Sequence, residues 1–294
     1  MNNDSLFKVI KAIIQLGKPH ITIAVSLSAL TGFILYSGSF SPGWLTMLAG
    51  IFFLSFASAA INQIQERRLD AMMPRTQNRP LPSGMIGMPL AFSVACIFGL
   101  TGAYLLFLSG DLPAMLLGLS NLVLYNLVYT NMKRVSIFAV VPGSLVGAVP
   151  PIIGWIAAGG DIGHAYIILV AAFFFIGQIP HTWLILLRYD AEYQKAGFPA
   201  LTRIFSARQI NALTFVWAVA TALSAIILSA AGVFHHTIPA FINMLFAVWL
   251  VIKFGHWLRQ RHSGSIRAAF LTLNLFYLLV MLLLIGDSLL RGIG

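Results

Sequence analysis

Nine stretches of this chain are each long and apolar enough to form a helix that crosses a lipid bilayer. Such a helix needs roughly 20 largely apolar residues. Only 9% of the residues are charged and 59% are hydrophobic, which excludes a soluble protein of this length. The sequence therefore predicts an all-α integral membrane protein, with spans near 20–38, 43–61, 89–108, 112–130, 136–157, 164–186, 210–231, 236–253 and 268–287.

The basic residues predict how these spans are oriented. When the chain is threaded with its N-terminus inside, all of the 18 lysines and arginines except Arg291 fall on the inner side. This asymmetry is typical of cytoplasmic loops, so the net charge of +10 is explained without nucleic acid as a partner. No cleavable signal peptide or organelle presequence precedes the first span, which favours a bacterial inner membrane. The single cysteine, Cys96, excludes an intramolecular disulfide.

Polar residues are concentrated in two long inner loops, 62–88 and 187–209. In the first loop Asn62, Glu66 and Asp70 are four residues apart, which places their side chains along one face of a helix. Carboxylate and amide oxygens are suitable ligands for Mg²⁺, and guanidinium groups bind phosphate. The loop therefore predicts a magnesium–diphosphate site, with Arg75 and Arg79 beside it.

The second inner loop carries Asp190 and Glu192, so the two loops hold four of the eight acidic residues in the chain. Acidic residues near hydrocarbon are costly and are often functional. We interpret the two loops as one metal–diphosphate site lined by both halves of an internally repeated chain. The alternative is ordinary solvated loop charge.

These two loops resemble the two acidic motifs of the UbiA-type intramembrane prenyltransferases. The matching residues are Asn62…Glu66…Asp70-x-x-Met73-x-Arg75-Thr76-x-x-Arg79-Pro80-Leu81 and Tyr193-x-x-Ala196-Gly197-x-Pro199-x-Leu201. The resemblance implies nine helices in two pseudo-repeats and a single polytopic domain over 1–294. It also implies Mg²⁺, bound largely through diphosphate, with five catalytic and metal-binding residues: Asn62, Glu66, Asp70, Asp190 and Glu192.

Within that superfamily the chain most resembles the branch that farnesylates haem. The blocks that carry this likeness are Gly17–Thr22, Tyr129-Thr130 with Lys133-Arg134, Gly147–Trp155 and Pro180-His181-x-Trp183. The resemblance implies transfer of a farnesyl group from farnesyl diphosphate to a vinyl group of haem b, giving haem O for terminal oxidases. A haem A synthase or a terminal oxidase is the candidate protein partner. The lipid bilayer surrounds the membrane-spanning helices.

This chemistry suggests further substrate-binding residues. Arg75 and Arg79 are expected to hold the diphosphate, with Lys133 or Arg134 as a third cation. The alternative for these residues is basic flanking of the spans. Tyr125 and Tyr129 are candidates to stabilise an allylic cation, although packing within a span also explains them. His181 is a candidate haem contact or a hydrogen-bonded packing residue.

The chain departs from the family pattern at several positions. Glu66 and Glu192 replace aspartates, and Arg68 replaces an acid. The methionine expected near Ala200 and the proline expected near Thr202 are missing. Three alternatives therefore stay open. One is a UbiA-type enzyme that prenylates a quinone precursor or another aromatic acceptor. The second is a membrane transporter, since prolines inside spans also suit alternating access. The third is a non-catalytic assembly factor.

Overall fold

The computed structural model describes residues 3–259 and 263–291, so Arg261, one of the basic residues assigned to the inner side, lies outside it. The described residues form helices and turns and contain no strand. The α-helices are α1 (Asn3–Leu16), α2 (Pro19–Ser37), α3 (Trp44–Ala71), α4 (Met88–Val123), α5 (Thr130–Met132), α6 (Val140–Ala157), α7 (Ala165–Arg188), α8 (Asp190–Lys195), α9 (Ala207–Ala230), α10 (Thr237–Arg259) and α11 (Ser263–Arg291). A π-helix (Leu124–Tyr129) and 3₁₀-helices (Ile137–Ala139 and Leu201–Arg203) complete the described elements.

Eight of the described helical segments are long and apolar enough to cross a membrane, and one of them contains two crossings. The segment Met88–Met132 has 45 residues and would be about 68 Å long as a straight helix, twice a bilayer core. It is broken at Gly110 and Asp111, where the backbone is not helical. Gly118 then packs against Leu106, so the chain turns back on itself. The described segments thus supply nine crossings, as the hydropathy predicts.

Helix α1 was not predicted. Its apolar residues recur every three or four positions instead of forming a continuous run, so a search for membrane-length runs does not detect it. Ala12 and Leu16 are buried against α3, whose Gln63 donates to the carbonyl oxygens of Gln15 (3.1 Å) and Leu16 (2.9 Å). Another face of α1 exposes apolar side chains, which are Leu6, Phe7, Ile10 and Ile14.

The buried core lies in two large clusters, one for each half of the chain. The first joins α2, α3, α4 and α6, and the second is centred on α7, α9, α10 and α11. Helices α2 and α6 approach most closely where Gly32 faces the carbonyl of Pro151 and Gly154 faces the carbonyl of Ala29. Small residues permit this approach, because helices in lipid associate by close packing and not by hydrophobic exclusion.

Both motif segments lie on the same side of the molecule. Helix α3 continues ten residues past the predicted span end and carries the first motif to Ala71, so only 72–87 is a true loop. The second segment contains α8 and the 3₁₀-helix Leu201–Arg203. Met73 of the first segment is buried against Ala196 and Phe198 of the second. This small apolar cluster holds the two segments together.

Candidate active site

The three polar side chains of the first motif form one buried row on α3. Asn62, Glu66 and Asp70 are 1%, 6% and 1% exposed. They are one helical turn apart, and the amide of Asn62 donates to Glu66 Oε2 at 3.1 Å. Burial of two carboxylates at the end of a membrane span is costly unless cations neutralise them. The row therefore requires positive partners.

Each member of the row has a cationic partner from a different segment. Lys18 Nζ donates to Asn62 Oδ1 at 2.7 Å, and Lys133 Nζ lies 2.8 Å from Glu66 Oε1. Arg79 Nη1 lies 2.8 Å from both carboxylate oxygens of Asp70. Three cations thus surround two carboxylates and one amide. This surplus of positive charge suits a ligand that carries several negative charges.

Lys18 is the member of this site that sequence reasoning missed. It precedes α2 and adopts the left-handed conformation (φ 49°, ψ 64°), which is unfavourable for a residue with a Cβ. Burial, with Arg79 and Lys133 nearby, lowers the pKa of Lys18 to about 7. The available signal was Pro19 at the start of a helix, which places the preceding lysine at the membrane boundary. Lys18 was instead attributed to membrane orientation, together with the other basic residues on the inner side.

A π-helix lies beside the row. Residues Leu124–Tyr129 take this rare form, and the hydroxyl of Thr130 donates to the carbonyl of Tyr125 at 2.9 Å. Asn62 Nδ2 in turn donates to Thr130 Oγ1 at 3.3 Å, so the π-helix is joined to α3. The Tyr125 and Tyr129 rings are stacked with centroids 5.5 Å apart, and Lys133 Nζ is 5.1 Å from the Tyr129 centroid. π-Helical turns are frequent at functional sites.

The second motif is arranged by its own segment and by the first. Asp190 Oδ2 accepts hydrogen bonds from Gln194 Nε2 and Thr202 Oγ1, both at 2.8 Å. Thr202, near which the resemblance predicts a proline, therefore orients a motif carboxylate. Glu192 Oε2 accepts from the backbone N–H of Arg75 at 3.2 Å. The two acidic segments are thus joined by a direct hydrogen bond.

The Arg75 side chain lies over the aromatic rings of the second segment. Its guanidinium carbon is 4.5 Å from the Tyr189 ring centroid and 5.9 Å from that of Tyr193. Arg75 Nη2 also donates to the Tyr193 hydroxyl at 3.4 Å, and burial raises the pKa of that hydroxyl. Arg75 is exposed, so it can exchange these contacts for a ligand phosphate.

The structure places three other residues outside this cluster. Arg134 donates to the backbone carbonyl of Gln65 at 3.0 Å, so of the two neighbours only Lys133 reaches the row. Arg68 is exposed on a different face of α3 from the row, so its departure from the family pattern does not alter the carboxylates there. His181 packs against Phe270 of α11, with ring centroids 4.9 Å apart.

The donor set suits a hard divalent cation that is held partly by a ligand. Its side-chain atoms are carboxylate and amide oxygens, as Mg²⁺ prefers. Within residues 3–259 and 263–291, however, no three His, Cys, Asp or Glu side chains are grouped closely enough to hold a metal alone. A metal here would need further oxygens, and diphosphate supplies them.

Comparisons with known proteins identify the family of the chain. The model of the UbiA prenyltransferase family matches residues 25–280 of the chain. A curated relative from Oleidesulfovibrio alaskensis (strain ATCC BAA-1058 / DSM 17464 / G20), named protoheme IX farnesyltransferase, is 34% identical over 265 residues. The match covers 90% of this chain and 92% of the relative.

Solved structures share the fold. A structure described in work on digeranylgeranylglyceryl phosphate synthase in membranes superposes with a TM-score of 0.77 at 14% identity, covering 95% of this chain and 98% of the other. A UbiA homologue from Archaeoglobus fulgidus, bound to GPP and Mg²⁺, superposes with a TM-score of 0.66 at 13% identity. That match covers 93% of this chain and 99% of the homologue. The predicted fold class is thereby confirmed.

Proposed function

Because the chain belongs to the UbiA prenyltransferase family, we propose that it transfers a farnesyl group from farnesyl diphosphate to a vinyl group of haem b, giving haem O. The observation that carries this acceptor is the likeness to protoheme IX farnesyltransferase over nearly the whole of both chains. The same comparison disfavours the transporter alternative. The family excludes neither a quinone-type acceptor nor a non-catalytic member, so both are outcomes of the test below.

The reaction balances as haem b, farnesyl diphosphate and water giving haem O and diphosphate. The bond between farnesyl C1 and its oxygen breaks, and diphosphate leaves with the electron pair. Farnesyl C1 then bonds to the terminal carbon of the vinyl group. Water adds to the remaining vinyl carbon and loses a proton, which leaves a hydroxyethylfarnesyl substituent. The main demand on the protein is to stabilise the negative charge that develops on the departing diphosphate.

Residues of the row and its cations are suited to that demand. We propose that Asn62, Glu66 and Asp70, with Asp190 and Glu192 opposite, bind Mg²⁺ largely through the diphosphate. Bound Mg²⁺ would supply electrostatic stabilisation of the leaving group. Support comes from the oxygen-rich donor set here and from the A. fulgidus homologue, which binds GPP with Mg²⁺.

The cations would bind the leaving group directly. Lys18 Nζ lies 2.7 Å from the amide oxygen of Asn62, and Lys133 Nζ and Arg79 Nη1 lie 2.8 Å from carboxylate oxygens of the row. Each can therefore move to a phosphate oxygen over a short distance. Arg75 lies in the loop 72–87, whose backbone is hydrogen-bonded to Glu192 of the second motif, and it would close over the diphosphate. The cost of ordering these side chains is low because their contacts with the row already hold them in place.

The Tyr125–Tyr129 stack would shelter the allylic carbon. Aromatic faces attract cations, and both rings lie beside the row on the π-helix. A site at the end of the spans also excludes bulk water from the farnesyl chain until the vinyl group has reacted. We propose that His181, which lies in a membrane span, contacts the haem.

We propose a bacterial inner membrane location, and the distribution of basic residues supports an orientation in which the N-terminus and both motif segments are cytoplasmic. Hydrogen bonds join Lys18 to Asn62 and Glu192 to Arg75, so both halves of the chain contact the first motif segment. We therefore propose that 1–294 acts as a single catalytic unit.

The test is to incubate the purified protein with haem b, farnesyl diphosphate and Mg²⁺, and to separate the haems by chromatography with mass detection. A more apolar haem that carries a hydrated farnesyl group, and that is lost with EDTA, is the expected result. Release of diphosphate without a new haem would indicate another acceptor. Neither product nor diphosphate, from well-folded protein, would indicate a non-catalytic relative. Geranyl and geranylgeranyl diphosphates in parallel test the prenyl length.

A further inference from the structure

A second basic cavity lies next to the candidate active site. It has a volume of about 550 Å³ and is lined by Gln65, Arg67, Arg68, Leu69, Arg134, Ala196, Gly197 and Phe198. The three guanidinium groups belong to α3 and to the turn after α5, and the apolar wall belongs to α3 and the second motif segment. We call this cavity the arginine pocket.

The arginines of this pocket lack acidic partners. Among the described residues none of the three forms an ion pair. Arg67 donates to the carbonyl of Ile64 at 3.1 Å and Arg134 to that of Gln65 at 3.0 Å, which leaves their charges uncompensated. Arg134 Nε is buried without any hydrogen-bond partner. Three unpaired guanidiniums around one cavity are an anion-binding arrangement.

The pocket shares both of its main walls with the active site. Gln65 and Leu69 are the α3 neighbours of Glu66 and Asp70, and lie about 100° around the helix from them. Ala196 to Phe198 follow directly after α8, which carries Asp190 and Glu192. An elongated molecule can therefore place one end in the pocket and another near the metal–diphosphate site.

The cations of the two sites have different partners. Lys18, Lys133 and Arg79 are paired with the α3 row, where the proposed function assigns them to the diphosphate. The arginine pocket is therefore available for the anionic groups of a second substrate. Leu69 and Phe198 in its wall suit an apolar ring beside those groups.

We propose that the arginine pocket binds the propionate carboxylates of the tetrapyrrole acceptor. This inference rests on the proposed function and specifies how the acceptor is oriented. The two propionates lie on one edge of the macrocycle and the vinyl groups on the other. Anchoring the propionates at Arg67, Arg68 and Arg134 directs the vinyl edge toward the farnesyl carbon. Arg68, a cation where the resemblance predicts an acid, contributes to this second site.

The experiment compares haem b with its dimethyl ester, which lacks the propionate charges, in the wild type and in the double variant Arg67→Gln/Arg68→Gln. In the wild type, esterification is expected to raise the acceptor KM about fivefold, the scale of partly exposed charge pairs. The double variant should show a similar rise for haem b and no further rise for the ester. Its KM for farnesyl diphosphate should be unchanged.

Arg208→Gln is the matched control, because Arg208 is an exposed basic residue outside the pocket. Comparing haem b with its dimethyl ester in the wild type tests propionate binding without any mutation. A folding defect in the double variant therefore does not leave the inference undecided. Equal KM values for haem b and ester in the wild type would overturn the inference.

Two further outcomes separate the possible failures. If the double variant raises the KM for haem b and for the ester equally, and only in nanodiscs that contain phosphatidylglycerol, the pocket binds lipid headgroups and the inference is wrong. If the wild type farnesylates haem b without discriminating the ester, the inference fails and the proposed function stands. If the wild type makes no farnesylated haem, the proposed function itself fails.

Discussion

Lys18 donates to the side chain of Asn62 across 2.7 Å, although 44 residues separate them in the chain. This contact joins the start of the first span to the first acidic motif. It places a cation whose pKa is lowered to about 7 beside two other cations and two carboxylates. The structure therefore adds Lys18 to the residues expected to bind diphosphate.

Replacing Lys18 by glutamine is expected to lower kcat about a hundredfold, the scale seen when one donor to developing negative charge is lost. Glutamine can still hydrogen-bond Asn62 but carries no charge. Lys11→Gln, an exposed lysine on α1, is the matched control and should be silent. Diphosphate release measures both variants. Equal rates for Lys18→Gln and wild type would remove Lys18 from the site.

Asp70→Asn is expected to lower activity by about a hundredfold and to raise the Mg²⁺ concentration that gives half-maximal rate. The substitution removes a carboxylate that is 1% exposed and paired with Arg79. Asp111→Asn is the control, since Asp111 lies at the turn within α4 and asparagine has the same shape as the aspartate that it replaces. A Mg²⁺ titration of product formation measures the effect. An unchanged titration in Asp70→Asn would contradict the metal role of the row.

Gly154→Ala is expected to destabilise the fold by roughly 1–3 kcal/mol, because overpacking strains a close helix contact. A Cβ at this position would meet the carbonyl of Ala29 on α2. Gly286→Ala, where a Cβ would meet nothing within 4 Å, should leave the unfolding temperature unchanged or raised. Thermal unfolding in detergent compares them. Identical temperatures for the two variants would show that α2 and α6 are not tightly packed there.

Thermal stability is expected to fall in acid partly through His235, on the side opposite the motifs. Arg291 Nη1 lies 3.2 Å from His235 Nε2, a contact that neutral histidine accepts and protonated histidine cannot. Burial and the Arg291 charge lower the pKa of His235, so the unfolded chain takes up this proton first. The stabilisation from neutral His235 is complete above pH about 6.5, the pKa of histidine in the unfolded chain. It is lost as the pH falls through the lowered pKa of His235 in the folded protein.

The measurement is the unfolding temperature at pH 7.5 and pH 5 for wild type and His235→Gln. Glutamine can accept from Arg291 but does not titrate, so the variant should lose less stability on acidification. The same fall in both proteins would show that His235 does not contribute to the pH dependence.

Local patterns determined much of the architecture. Hydropathy alone places the spans, because a backbone in lipid must satisfy its hydrogen bonds within a helix. The spacing of Asn62, Glu66 and Asp70 places them on one face, since 3.6 residues complete a turn. Both features depend on residues close in sequence, and the structure agrees with both.

Only the tertiary structure decided which charges meet. The sequence offers 18 basic residues and singles out Arg79 and the pair Lys133 and Arg134, but the common role of basic residues in membrane orientation hides Lys18. Lys133 pairs with Glu66, while its neighbour Arg134 donates to a backbone carbonyl of α3. The orientation of the short turn that follows α5 decides which of the two side chains reaches the row. Likewise, Thr202 meets Asp190 only because the second segment folds back. Such pairings depend on how separate helices approach, and no local periodicity encodes that approach.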